Sequence, residues 1–130
     1  MSISRIASIT VPVADIDRAL VLYRDTLGFS IFRDLGDTPE SRAVHLTAPG
    51  GGTTITLMDG TVDAPAGSLR GAVLQVRDIA AALGCLRWGG VTEHWFDAHA
   101  PGGPAALFAD ADGNVWTLWQ PAEVPAPIAA

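Results

Sequence analysis

At 130 residues the chain has the length of one domain, and its 48% hydrophobic against 17% charged residues argue for a packed core and against disorder. A formal net charge of −6 disfavours nucleic acid as a partner, because a surface that follows phosphates concentrates basic side chains. All eight basic residues are Arg, which excludes chemistry that needs a lysine amine, and Cys85 stands alone, which excludes an intrachain disulfide or thiolate metal cluster. The first residues lack the apolar run of a secretion signal and no window approaches a membrane span, so a cytoplasmic location away from membranes is expected.

Residues 6–13 are rich in β-branched side chains and read as a strand, and Asp15 then offers an oxygen to cap a helix. Ile16, Ala19, Leu20, Tyr23 and Leu27 fall at helical spacing, with Gly28 as the stop. A strand begins at residues 29–33, and residues 42–47 and 53–58 form a hairpin around Pro49 and the glycines that follow it. Residues 61–70 show no periodicity and read as a linker, long enough for two chains to exchange modules. The plan then repeats. A strand at 72–76 leads to a helix capped by Asp78 with Ile79, Ala82, Leu83 and Leu86 on one face and Gly89-Gly90 as its stop. A strand at 91–96 and a hairpin of 105–109 with 114–119 around Asp110-Ala111-Asp112-Gly113-Asn114 complete it.

The repetition is visible in the residues themselves. Val13 to Leu20 aligns with Val76 to Leu83 at an offset of 63, and Thr54 to Met58 aligns with Val115 to Trp119 at an offset of 61. One domain therefore holds two βαβββ modules, about residues 5–60 and 71–121, followed by a loose tail at 122–130.

Thr10-Val11-Pro12-Val13-Ala14-Asp15, then Ala19 to Tyr23, Leu27-Gly28-Phe29, and the late Asp110-Ala111-Asp112-Gly113-Asn114, in this order and duplication, resemble the vicinal oxygen chelate superfamily. Its members include glyoxalase I, extradiol dioxygenases, fosfomycin-resistance proteins and bleomycin-binding proteins. The resemblance implies an α+β fold in which tandem βαβββ modules form a curved mixed-sheet half-barrel cavity with the helices outside, and it implies a homodimer. It also implies metal-ligand positions on the first and last strand of each module, which fall here on Ser8, Thr56, Gly71 and Thr117. Hydroxyls and a bare glycine are too weak to replace imidazole, thiolate or carboxylate donors, so no metal and no cofactor are expected.

Side chains two apart on a strand share a face, so the same positions populate the expected cavity wall. Ser8, Thr10, Pro12, Thr54, Thr56, Met58, Gly71, Val73, Gln75, Val115, Thr117 and Trp119 fall on one face. Ile9, Val11, Val13, Ile55, Leu57, Leu74, Val76, Trp116 and Leu118 fall on the other and are uniformly apolar, which suits packing against helices. Carried across the repeat at the offset of 61, His45 matches Ala106 and Thr47 matches Phe108, all four facing the cavity, with Trp95 and Phe96 closing one end. The expected ligand-binding set is Ser8, Thr10, His45, Thr47, Thr54, Thr56, Met58, Gln75, Trp95, Phe108, Thr117 and Trp119.

That lining suits a partly apolar organic molecule, aromatic or antibiotic-like, stacked on Trp119 and oriented by a few hydroxyls. The negative net charge favours cationic or neutral ligands over anions. The expected function is metal-independent small-molecule binding, resembling the antibiotic-sequestering branch. The alternative is a glyoxalase-, dioxygenase- or isomerase-like enzyme, with metal ligands at non-standard positions or metal-free with His45 as acid or base. His94 and His99 read as exposed strand-end residues, and Trp88 and Trp116 as core or subunit contacts.

Overall fold

The computed structural model describes residues 2–36, 38 and 42–122, so the tail expected to be loose lies outside the described residues apart from Ala122. By its internal contacts the chain divides into two compact units, one of Met1–Leu69 with Asp110–Asn114, the other of Arg70–Ala109 with the chain from Val115 onward.

In the first unit β1 (Ser8–Val13) leads into α1 (Ile16–Leu20), which continues as a π-helical stretch, Val21–Thr26. The Asp15 carboxylate accepts the Arg18 N–H at 3.1 Å, the cap expected from its position. In the π-helical stretch Leu27 N–H reaches the Leu22 carbonyl, five residues back, and the chain leaves at Gly28 with a φ of 79°. β2 (Ser30–Leu35), β3 (Ala43–Thr47) and β4 (Thr54–Asp59) follow, giving a sheet of order β1-β4-β3-β2 in which β1 and β4 are parallel and the other pairs antiparallel.

The second unit repeats this with β5 (Ala72–Gln75), α2 (Ile79–Trp88), β6 (Trp95–Asp97), β7 (Ala105–Ala109) and β8 (Val115–Trp119), in the order β5-β8-β7-β6. Asp78 caps α2 through Ala81 N–H at 3.1 Å. The strand expected at 91–96 forms later and shorter, because Val91 N–H is taken by the Leu86 carbonyl in the helix-ending turn. Ladder pairs confirm the repeat register: Thr10 opposite Thr56 becomes Val73 opposite Thr117 under offsets of 63 and 61.

The expected curved half-barrel does not form. Each unit holds an open four-stranded mixed sheet, neither closed nor strongly curled, because β1 and β2 in one sheet and β5 and β6 in the other pair on one side only. Closure requires the outer strands to pair with each other, and no such ladder exists among the described residues.

One face of each sheet is the core. Val11, Val13, Val44, Leu46, Ile55 and Leu57 are buried in the first unit, as are Ile16, Leu20 and Tyr23 of the helix beside them. Ala106, Phe108, Trp116 and Leu118 are buried in the second, where α2 contributes Ile79, Leu83 and Leu86. Each Val, Leu, Ile or Phe side chain among them contributes roughly 1.5–3 kcal/mol when fully removed from water. Trp88, expected in the core or at a subunit contact, is 95% exposed and so stands outside the core.

The 61–70 stretch is fastened rather than free. Gly67 N–H donates to the Pro12 carbonyl at 3.0 Å and Leu69 N–H to Asn114 Oδ1 at 3.0 Å. Asn114 Nδ2 donates to the Pro12 carbonyl and to Asp110 Oδ2, both at 2.8 Å, which locks the Asp110–Asn114 turn into the first unit.

Candidate functional site

The other face of the first sheet is open and polar. Parallel and antiparallel partners share a face, so Thr10, Thr56 and His45 lie across one another on β1, β4 and β3. Ser8 and Thr54 sit one step toward one end, Met58 toward the other, and Thr47 two residues beyond His45. Thr56 is buried while Thr10 and Met58 are exposed and Ser8, His45, Thr47 and Thr54 are half-buried. Thr56 Oγ1 lies 2.7 Å from Ser8 Oγ and 3.1 Å from His45 Nδ1, a continuous hydrogen-bonded chain of three side chains from three strands. Two of the four positions where a metal ligand would stand thus satisfy each other with hydroxyls.

A β-bulge brings a second group to this place. The β2–β3 register shifts between Ile31 and Arg33, so Phe32 and Arg33 together oppose His45. The Phe32 and His45 rings sit 5.7 Å apart between centroids, tilted at 50°. Phe32 is 53% exposed and Arg33 exposed, and Arg33 makes no ion pair among the described residues. Sequence reasoning passed over both, because an inserted residue on an edge strand leaves no mark in the alternation.

On the second sheet Val73, Thr117, Leu107 and Trp95 occupy one ladder row, and Gln75, Trp119, Ala105 and Asp97 the next. Trp95 pairs with Leu107 and Leu107 with Thr117, so Trp95 shares the face of Thr117, and it is 44% exposed. Trp119 is half-buried, and its Nε1–H donates to the Gly102 carbonyl at 3.1 Å, which fixes the plane of the ring. Phe108 departs from expectation: it pairs with Trp116 and is fully buried, on the core face. Ala106 pairs with Leu118 in the same way, so the row position equivalent to His45 is Leu107. The cause is countable in the sequence, since six residues, 48–53, join β3 to β4 but only five, 110–114, join β7 to β8. That one-residue difference turns every side chain of β7 over relative to a constant offset.

Elsewhere in the first unit a recess of about 510 Å³ is lined by Asp15, Asp17, Thr38, Arg42 and Asp59 among others. Its cation is already engaged. Arg42 holds both Asp34 oxygens, at 3.1 and 2.9 Å, and Asp17 at 2.8 Å, which raises its pKa above the usual arginine value and lowers that of Asp34. His94 and His99 are exposed, and Glu93 is taken by Arg87. Among the described residues no group of three or more His, Cys, Asp or Glu side chains is arranged to hold a metal ion, and no helix is long and apolar enough to cross a membrane.

Among solved structures, an antibiotic binding protein, TnmS3 from Streptomyces sp. CB03234, is 34% identical, with 94% of this chain and 99% of that chain covered at a TM-score of 0.85. A glyoxalase/bleomycin resistance protein from the same source is also 34% identical, covering 90% of this chain and 100% of that one at a TM-score of 0.78. A member of the same superfamily from Sphaerobacter thermophilus DSM 20745 is 31% identical, with coverage of 92% and 99% and a TM-score of 0.81. No curated protein sequence matches the chain. The family model that matches, over residues 5–118, places the chain in the Glyoxalase/Bleomycin resistance protein/Dioxygenase superfamily, the vicinal oxygen chelate superfamily to which it therefore belongs.

Proposed function

We propose that this chain is a metal-independent binding protein for small, partly aromatic organic molecules of the antibiotic kind, working as a cytoplasmic homodimer. The observation that carries the reading is the Ser8–Thr56 hydroxyl pair, bonded at 2.7 Å where the superfamily would place two metal ligands. The 34% identity to an antibiotic binding protein supports the same direction. Ser8, Thr10, Thr54, Thr56, His45, Thr47 and Met58 are the proposed contacts on the first sheet, and Gln75, Trp95, Thr117 and Trp119 those on the second. The hydroxyls orient, and the exposed rings supply stacking area.

A thermal-shift screen with divalent metals and natural-product-like compounds in parallel tests it. Organic compounds are expected to raise the melting temperature and metals to leave it unchanged. A stoichiometric ion in protein purified without chelators contradicts the reading. With a bound compound in hand, Trp119→Ala is expected to weaken binding about tenfold while leaving the fold intact, read by titration calorimetry. An unchanged affinity removes Trp119 from the site.

The same Ser8–Thr56–His45 chain supports a second reading, a metal-free enzyme in which His45 moves a proton. It requires that a bound compound be turned over and that His45→Gln abolish turnover while retaining binding.

A further inference from the structure

We infer that the open face of the first sheet selects ligands bearing an acidic or strongly accepting oxygen on an aromatic frame, a carboxylate, phenolate or enolate, and discriminates against cations. This rests on the binding reading above and adds the sign of the ligand's charge.

The chain as a whole argues the opposite, since a net charge of −6 draws cations toward it. The local arrangement overrides that trend. The titratable side chains on this face are Arg33 and His45, and its other polar groups are hydroxyls. The nearest strand carboxylates are turned away. Asp34 pairs with Val44 on the core-face register and is held by Arg42, and Asp59 pairs with Val13.

The bulge makes the arrangement specific. It sets Phe32 and Arg33 both against His45, so an aromatic ring and an exposed guanidinium flank one imidazole. His45 Nδ1 is already in contact with Thr56, and Thr56 with Ser8, which leaves Nε2 as the ring nitrogen that can face a ligand. With its proton on Nε2, His45 accepts from Thr56, Thr56 accepts from Ser8, and the imidazole presents a donor. A ring stacked near Phe32 would then offer its oxygen to two donors, Arg33 and His45, and the guanidinium rewards a negative charge there.

Calorimetric titration of the full chain at pH 7.5 with 2-naphthoate, 2-naphthylmethanol and 2-naphthylmethylammonium tests this, since the three share one ring system and differ in charge. The naphthoate is expected to bind about tenfold more tightly than the alcohol, and the ammonium more weakly than either. Arg33→Gln is expected to lower naphthoate affinity about tenfold, whereas Arg18→Gln, an equal change in net charge on an exposed helix position, leaves all three unchanged. Melting curves confirm that both variants fold. An ammonium bound as tightly as the naphthoate, or Arg33→Gln and Arg18→Gln acting alike, overturns the inference. If the alcohol binds and the naphthoate gains nothing, the charge preference falls and the small-molecule reading stands. If none of the three binds at millimolar concentration, both fall.

Discussion

Each oxygen of the Asp110 carboxylate accepts two hydrogen bonds: Oδ1 from Asp112 and Asn114 N–H at 2.9 Å, and Oδ2 from the Tyr23 hydroxyl at 2.6 Å and Asn114 Nδ2 at 2.8 Å. The two turn bonds are local, and Asp at that position announces them. The Tyr23 bond is different in kind, because the helix face assigns Tyr23 to the core but nothing in its spacing names a partner 87 residues away. Tyr23 is fully buried, so losing its hydroxyl strips one donor from a buried carboxylate without changing the ring. Tyr23→Phe is therefore expected to cost about 1.5–3 kcal/mol, the range for hydrogen bonds to charged groups, seen as a lower urea midpoint at constant slope. A midpoint equal to that of the wild type would mean that Asn114 alone satisfies Oδ2. The same limit of local reading applies to Ser8, Thr56 and His45: the ligand positions of the resemblance put Ser8 and Thr56 on one face and the repeat match put His45 there, but their hydrogen-bonded chain needed the ladder registers to be seen.

At the scale of elements, the caps and stops were legible because each is written in one or two residues: Asp15, Asp78, Gly28 and Gly90 all stand where helices begin or end. Elements set by their neighbours were not. The bulge in β2 and the reversed parity of β7 both arise from single-residue length differences, which slip a strand's faces without altering its composition. The 61–70 stretch reads as a linker, yet Gly67 is pressed against the Asp110–Asn114 turn, with φ at 84° and only 1.9 Å between a Cβ placed there and the Asp112 carbonyl oxygen. Gly67→Ala is expected to destabilise by at least about 1–3 kcal/mol through backbone strain, with the clash adding to it. Gly84, inside α2 with nothing within 4 Å of an added Cβ, should respond with the opposite sign. There Ala is expected to stabilise by roughly 0.5–1 kcal/mol, since helix geometry suits it and the unfolded chain loses freedom. Both are read by urea unfolding: a Gly67→Ala variant as stable as the wild type would contradict the contact at Gly67, and a destabilised Gly84→Ala variant would contradict the open space at Gly84.

For the whole molecule, duplication preserved the ladders and let the chemistry diverge: Thr10, Thr56, His45 and Arg33 in one row of the first sheet answer to Val73, Thr117, Leu107 and Trp95 in the second. The charges diverged as well, and they set the response to acid. Asp25, Asp34 and Glu93 are each held below their ordinary values by a hydrogen-bonded arginine, Arg24, Arg42 and Arg87 respectively. A carboxyl with a lowered folded-state pKa binds its proton less tightly in the folded chain than in the unfolded one. Its contribution is therefore complete above the ordinary values of 3.8 for Asp and 4.5 for Glu, and it is lost as pH falls through the lower folded value. Exposure keeps the Asp25 and Asp34 contributions small, so the test must be differential. The wild-type melting temperature should drop between pH 7 and pH 3, and Asp34→Asn, which removes one such carboxyl and its bidentate hold on Arg42, should drop less over the same interval. An equal or steeper drop in the variant would mean that Arg42 draws its stabilising partner from Asp17 alone, leaving Asp34 without a share in the acid response.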